Sequence, residues 1–107
     1  MKTMINYIED LKNKYQFDSY YKTMAYIGMG RQAWSKIQKG QGLSDKNAKR
    51  LAEALRIDPI EIIAVSNALK AENNEIKMMW LKLAKEKEKE REKKNNSLEE
   101  LKKTLGG

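Results

Sequence analysis

Apolar residues recur in this chain at intervals of three and four positions along most of its length. Such spacing places apolar side chains on one face of successive α-helices, whereas a half-buried strand would alternate apolar and polar residues. Glycines and the pair Asn73-Asn74 interrupt the periodic segments, as breaks between short helices would. The pattern therefore predicts an all-α fold without strands.

The ends of the predicted helices follow from local signals. Five helices are expected before residue 72: about 4–15, 19–27, 31–39, 44–56 and 58–69. The strongest signal is Asp58-Pro59-Ile60-Glu61, in which Asp58 caps the helix, Pro59 takes the first helical position and Glu61 closes a capping box. Residues 1–72 are thus predicted to form one five-helix domain.

A C-terminal extension, residues 73–107, is predicted to be helical and highly charged. Its first part carries one apolar stripe: Ile76, Met79, Trp80 and Leu83. Residues 85–94 follow with alternating lysine and glutamate and no apolar stripe, so this run is expected to bury nothing. An isolated helix of about 20 residues is marginal in water, so the stripe needs a partner surface. Two alternatives stay open, folding back onto the core or forming the seam of a homodimer.

Composition excludes several classes of site. The chain has no cysteine and no histidine, so it has no disulfide, no thiolate metal site and no histidine base. No set of carboxylates, lysines or tyrosines suggests catalysis, and we expect no enzyme, no metal site, no cofactor and no small-molecule substrate. No apolar run is long enough to span a membrane, and we expect no signal peptide. A cytoplasmic protein of a bacterial host, associated with the nucleoid and with no membrane partner, is the expectation.

The charge distribution indicates a polyanionic partner. The net charge is +7, and no acidic residue lies between Asp18 and Asp45. This window contains four cations: Lys22, Arg31, Lys36 and Lys39. A segment of one sign in a chain of mixed charge is typical of nucleic-acid binding.

The same window has the pattern of a helix-turn-helix. The predicted helices Ser19–Ile27 and Arg31–Lys39 are short and are joined by a glycine turn. Trp34 and Ile37 form the inward stripe of the second helix, which leaves its polar residues free. A major groove about 12 Å wide admits such a helix.

The free polar residues suit contacts with DNA. Arg31 matches O6 and N7 of guanine, and Gln32 matches N6 and N7 of adenine. Ser35 and Lys36 lie farther along the same helix and complete the candidate base-contacting set. Six further residues are candidates for contacts with the sugar-phosphate backbone: Tyr20, Tyr21, Lys22, Lys39, Gln41 and Ser44. Double-stranded DNA is the predicted ligand.

A family resemblance rests on residues 26–40, YIGMGRQAWSKIQKG, and on residues 43–55, LSDKNAKRLAEAL, with Ile57-Asp58-Pro59 after them. These stretches resemble the helix-turn-helix and the next helix of Cro/CI-type phage repressors, which have the lambda-repressor-like fold. The resemblance covers roughly residues 4–70 and implies a five-helix DNA-binding domain of phage or prophage origin. It also implies a dimer on a palindromic operator.

Three positions depart from that family's usual pattern. Gly30 stands where a serine or threonine commonly caps the recognition helix, Met24 stands where a small residue is usual, and Trp34 is large for its inward position. Because these residues lie where the two helices meet, we expect their packing to differ from that of the family.

Two functions of different classes are consistent with these patterns. The first is a transcriptional regulator, a repressor that binds an operator through the helix beginning at Arg31. The second is a module with the repressor fold that inhibits or recruits a host protein. RNA binding has less support, since no aromatic platform on a sheet is predicted.

Overall fold

Six α-helices form the protein in a computed structural model that describes residues 1–105. They are α1 (Met4–Tyr15), α2 (Tyr20–Tyr26), α3 (Ala33–Gln38), α4 (Asp45–Leu55), α5 (Pro59–Lys70) and α6 (Asn74–Leu105). No strand occurs in this part of the chain, so the all-α prediction is confirmed. Within the same residues, no helix combines the length and the apolar character that crossing a bilayer requires.

Local caps explain where four of the helices begin. The side chains of Thr3, Ser19, Ser44 and Asp58 each accept a hydrogen bond from a backbone N–H in the first turn of the helix that follows. A cap of this kind stabilises a helix by about 1 kcal/mol relative to alanine. These four starts lie within one residue of their predicted positions.

The third helix begins two residues later than predicted. Arg31 and Gln32 lie in a turn, and α3 runs only from Ala33 to Gln38. Gln32 is its N-cap but makes no side-chain capping bond. Because no capping side chain marks this start, the packing of the helix decides it rather than a local signal.

The core lies between α1, α4 and α5, with α2 and α3 closing one side. Its largest fully buried apolar side chains come from α1, α2, α4 and α5 and from the segments next to them: Tyr7, Ile8, Leu11, Met24, Ile27, Leu43, Leu51 and Ile62. The helix α5 is the central one, since it packs against α1, α4 and α6. Burying apolar surface contributes about 25 cal/mol of favourable free energy per Å², and this is the main contribution that holds such helices together.

Glu61 does not close a capping box, contrary to the prediction. Its carboxylate is fully buried and accepts hydrogen bonds from the hydroxyl of Tyr7 and from Nε and Nη2 of Arg91, the latter two at 3.0 Å. Asp58 alone caps α5, through the amide of Ile60 at 2.9 Å. A carboxylate can be buried here because two donors compensate its lost hydration.

The extension folds back onto the domain. Ala84 is buried, and Trp80 and Leu83 pack against the core, chiefly beside α5. The charged run was expected to bury nothing, and this was wrong for Arg91, whose guanidinium reaches Glu61. The reason is that the amphipathic face of α6 continues into the charged run with an arginine in place of an apolar residue.

Candidate nucleic-acid interface

The turn between α2 and α3 depends on Gly28. Its φ of +82° is a left-handed conformation, and its amide donates to the carbonyl of Ala25 while that of Met29 donates to Met24. A Cβ at Gly28 would also lie 2.1 Å from Nη1 of Arg50. The left-handed backbone is what requires glycine here, because the flexible end of Arg50 could move away from a Cβ.

One face of α3 is held by the core. Ala33 and Ile37 are buried, and the indole of Trp34 stacks on the ring of Tyr20 with centroids 4.0 Å apart and planes 2° from parallel. Nζ of Lys12 lies 5.3 Å from the centroid of the same tyrosine. Trp34 is accommodated by stacking at the edge of the α2–α3 contact, so its size does not force the two helices apart.

The opposite side of this segment is exposed and polar. We call Arg31, Gln32, Ser35, Lys36 and Lys39 the recognition surface, and all five are exposed. Ser35 and Lys36 belong to α3 and Lys39 is its C-cap, whereas Arg31 and Gln32 precede it. The carbonyl of Gln32 accepts the amide of Lys36 at 3.2 Å, and its backbone is right-handed helical, so its side chain projects from the N-terminal end of the helix.

The cations of the recognition surface have no partner within residues 1–105. Neither Arg31, Lys36 nor Lys39 makes a salt bridge or a side-chain hydrogen bond in that part of the chain. Lys22 differs, because it pairs with Asp18 at 2.9 Å, and this contact lowers the pKa of the Asp18 carboxyl. Within the acid-free window, the cations without an ion pair therefore all lie after Gly28.

The loop after α3 is fixed to α5. Both the amide and the carbonyl of Leu43 bond to the hydroxyl of Ser66, at 2.7 and 2.6 Å, and Nζ of Lys70 donates to the same carbonyl. Gly42 lies so close that a Cβ would meet Ser66 oxygens at 2.7 Å. The exposed side chain of Gln41 is therefore presented from a rigid loop.

The remaining residues predicted to contact the sugar-phosphate backbone of DNA differ in whether their side chains already have a partner in the protein. Tyr21 is exposed, while the ring of Tyr20 is occupied by its stack on Trp34. The Ser44 hydroxyl caps α4 by accepting the amide of Asn47 at 3.2 Å, and it keeps its own proton for a further acceptor.

A shallow hollow of about 330 Å³ lies beside α3. Gln32, Lys36, Gln41 and Asn47 supply its polar lining. Asn47 was not predicted as a site residue, because the third residue of α4 reaches this hollow only through the tertiary fold. An asparagine among lysines in the first turn of a helix was the one available signal.

Two of the four residues of the predicted dimer seam pack against the core, and the other two are exposed. Trp80 and Leu83 pack against the core, whereas Ile76 and Met79 are 41% and 64% exposed. Neighbouring Met78 is exposed as well. Any seam on α6 would therefore consist of the exposed residues alone.

Comparisons of the chain with protein-family models, with curated proteins and with solved structures found no match. Within residues 1–105, no group of three or more carboxylates is placed to hold a metal ion. Function is therefore inferred from the geometry and the charge of the chain's own residues.

Proposed function

We propose that this protein binds double-stranded DNA sequence-specifically, as a transcriptional regulator of the phage or prophage repressor type. In this proposal α1 to α5 form a lambda-repressor-like DNA-binding domain, residues 1–72, and α6 is an extension of it. The observation that carries the proposal is the recognition surface, whose unpaired cations lie beside a short helix held by the core.

The candidate residues suit two kinds of contact with DNA, one with base edges and one with phosphates. Arg31 and Gln32, at the N-terminal end of α3, would contact base edges, because guanidinium and carboxamide groups form bidentate bonds with guanine and adenine. Ser35 and Lys36 follow on the same side of the helix. Phosphate contacts carry no sequence information but set the position of the protein on the duplex. They would come from Tyr20, Tyr21, Lys22, Lys39, Gln41 and Ser44.

We further propose that two copies bind two half-sites about one helical turn apart. The exposed Ile76, Met78 and Met79 on α6 are the residues that would meet at the seam. Their area is small, so we expect the free protein to dimerise weakly and to pair mainly on DNA, where two half-sites raise the local concentration.

The proposal is tested by selecting duplexes from a random DNA pool near physiological salt, since affinity depends strongly on ionic strength. Enrichment of a palindrome or of paired half-sites is expected. A single half-site would support base recognition and contradict the dimer. Failure to enrich any sequence, with only salt-sensitive background binding, would refute sequence-specific recognition.

Two variants then separate base contacts from phosphate contacts. Arg31→Ala is expected to weaken binding of the selected duplex by about 1–3 kcal/mol and to relax one base position. Lys39→Ala is expected to weaken all sequences alike and to lower the salt slope by about one. Lys89→Ala is the matched control, because Lys89 is exposed on α6 and makes no ion pair within residues 1–105. Wild-type selectivity in Arg31→Ala would show that the base-contacting face is misassigned.

A further inference from the structure

A second exposed cluster is aromatic and lies where α1 and α2 end. The ring centroids of Tyr15, Phe17 and Tyr26 are 5.0–5.8 Å apart. Tyr15 is 41% and Tyr26 is 52% exposed. Tyrosine, tryptophan and arginine are enriched among the residues that contribute most of the binding energy at protein interfaces, so an exposed aromatic cluster is a candidate binding site.

Tyr15 and Tyr26 of this cluster line one wall of a groove of about 560 Å³, and the C-terminal half of α4 with its C-cap Arg56 forms the other. Arg50, Glu53 and Arg56 line the α4 side. The two walls are tied together, since the hydroxyl of Tyr15 and Nζ of Lys14 both donate to the carbonyl of Ala54, at 3.3 and 2.7 Å. We call this site the aromatic–arginine groove. It shares only Gly28 with the hollow beside the recognition surface.

The groove is electropositive. Arg50 and Arg56 make no salt bridge and no side-chain hydrogen bond within residues 1–105, while Glu53 lies 3.7 Å from Lys49. Arg56 moreover occupies a left-handed position, with φ at 58°, where glycine would be less strained. The unmatched charges favour a partner that brings carboxylates.

We propose that the aromatic–arginine groove binds an acidic segment of another protein, with one aromatic or aliphatic side chain of that segment packed against Tyr15 and Tyr26 and its carboxylates on Arg50 and Arg56. The Tyr26 hydroxyl can contribute a hydrogen bond as well, because a phenol keeps its proton at neutral pH. The proposal does not depend on DNA binding.

The groove fits a protein segment better than a nucleic acid. Its rings are tilted by 33–49° against one another and pack mutually, so they form an irregular apolar surface rather than a row of parallel faces on which successive bases would stack. A phosphate backbone carries a charge at every nucleotide and would bring one against Glu53, whereas a short acidic segment can place its carboxylates on Arg50 and Arg56 and an uncharged residue opposite Glu53.

The test is selection from a random peptide library on the immobilised full chain, followed by affinity measurement with the selected synthetic peptide. We expect peptides with acidic residues around one aromatic or aliphatic residue. Replacing their acids with the corresponding amides should abolish most of the binding. A library that yields no such peptides would overturn the proposal.

Two variants of the chain map the binding to the groove. Tyr26→Ala is expected to weaken binding of the selected peptide roughly tenfold or more. Arg56→Gly is expected to weaken it roughly fivefold, and it should keep the fold because glycine suits the left-handed backbone at this position. Lys89→Gln is the control and should bind as the wild type does.

Two results would reject the assignment. Unchanged peptide affinity in both Tyr26→Ala and Arg56→Gly would place the peptide elsewhere. If Arg56→Gly instead weakened duplex binding and lowered its salt slope as Lys39→Ala is expected to do, the groove would belong to a nucleic-acid surface. Loss of DNA binding through Arg31→Ala, with peptide binding intact, would separate the two sites.

Discussion

Replacing Arg91 with methionine is expected to detach the charged part of α6 from the domain. Methionine keeps most of the aliphatic stem of the arginine but removes both hydrogen bonds to Glu61, each 3.0 Å long. The Glu61 carboxylate would then remain fully buried with the hydroxyl of Tyr7 as its one remaining donor. The variant therefore isolates the charge pairing from the packing of the helix.

The expected loss in the free energy of unfolding follows from the burial of the ion pair between Arg91 and Glu61. Removing one partner of a buried ion pair costs about 3–5 kcal/mol, because the other charge is left without compensation. The Arg91 side chain is 24% exposed, so solvent reaches the site and the lower end, about 3 kcal/mol, is expected. For a chain of this size such a loss lowers Tm by about 12–24 °C.

Urea unfolding measures this loss directly. Trp80 lies on α6 and packs against the core, so in a Trp34→Phe background its fluorescence reports release of the helix, while circular dichroism reports overall unfolding. Lys89→Met is the matched control on the exposed side of the same helix. Adding Glu61→Gln to Arg91→Met should restore part of the stability, because no buried charge then remains. A free energy of unfolding for Arg91→Met within about 0.5 kcal/mol of the wild type would refute the reasoning.

Two further predictions concern stability. Burial, together with the hydrogen bond to Glu61, raises the pKa of Tyr7 above its ordinary value of 10.0. As pH rises past that value the unfolded chain loses this proton first, so the free energy of unfolding should fall by up to about 1.4 kcal/mol per pH unit. Urea titrations at alkaline pH should show a shallower fall for Tyr7→Phe, and an equal slope would contradict the assignment. Gly42→Ala should cost about 1–3 kcal/mol, because its Cβ would meet Ser66 at 2.7 Å. Gly30→Ala meets nothing within 4 Å and should stay within about 0.5 kcal/mol of the wild type in thermal unfolding. Equal losses in the two glycine variants would contradict the packing of this loop.

Helix starts could be predicted where the signal is local. Thr3, Ser19 and Ser44 cap helices through amides three residues away, so a short stretch of sequence contains the whole interaction. The start of α3 carries no such signal, and there the burial of Ala33 and the stacking of Trp34 set the boundary. These contacts depend on the crossing of α2 and α3, which a periodic pattern does not specify.

The contacts of the Glu61 side chain likewise could not be predicted from the local sequence. A glutamate three residues after Asp58 is a good capping-box residue, and the pattern correctly predicted the helix. Its side chain turns inward because Tyr7 and Arg91 offer donors from 54 and 30 residues away. Neither donor lies near Glu61 in the sequence, so the burial of its side chain could be found only from the tertiary structure. The stacking of Trp34 on Tyr20 and the contribution of Asn47 escaped prediction for the same reason.

The distribution of charge in the sequence indicated the exposed cations of the recognition surface, but not the aromatic–arginine groove, which depends on the packing of α1, α2 and α4. Cations that pair locally, such as Lys22 with Asp18, or across the fold, such as Arg91 with Glu61, are neutralised within the chain. With a net charge of +7 other cations must stay unmatched, and two sets of them lie on the recognition surface and in the aromatic–arginine groove.

These two sets should respond differently to salt. A surface that neutralises DNA phosphates releases condensed counterions, so its affinity falls steeply as salt rises. A groove that pairs two arginines with carboxylates and buries aromatic rings has no such counterion atmosphere to release, and its apolar contacts are not screened. Duplex binding should therefore decline with ionic strength far faster than peptide binding does. A common salt slope would mean that one surface serves both ligands.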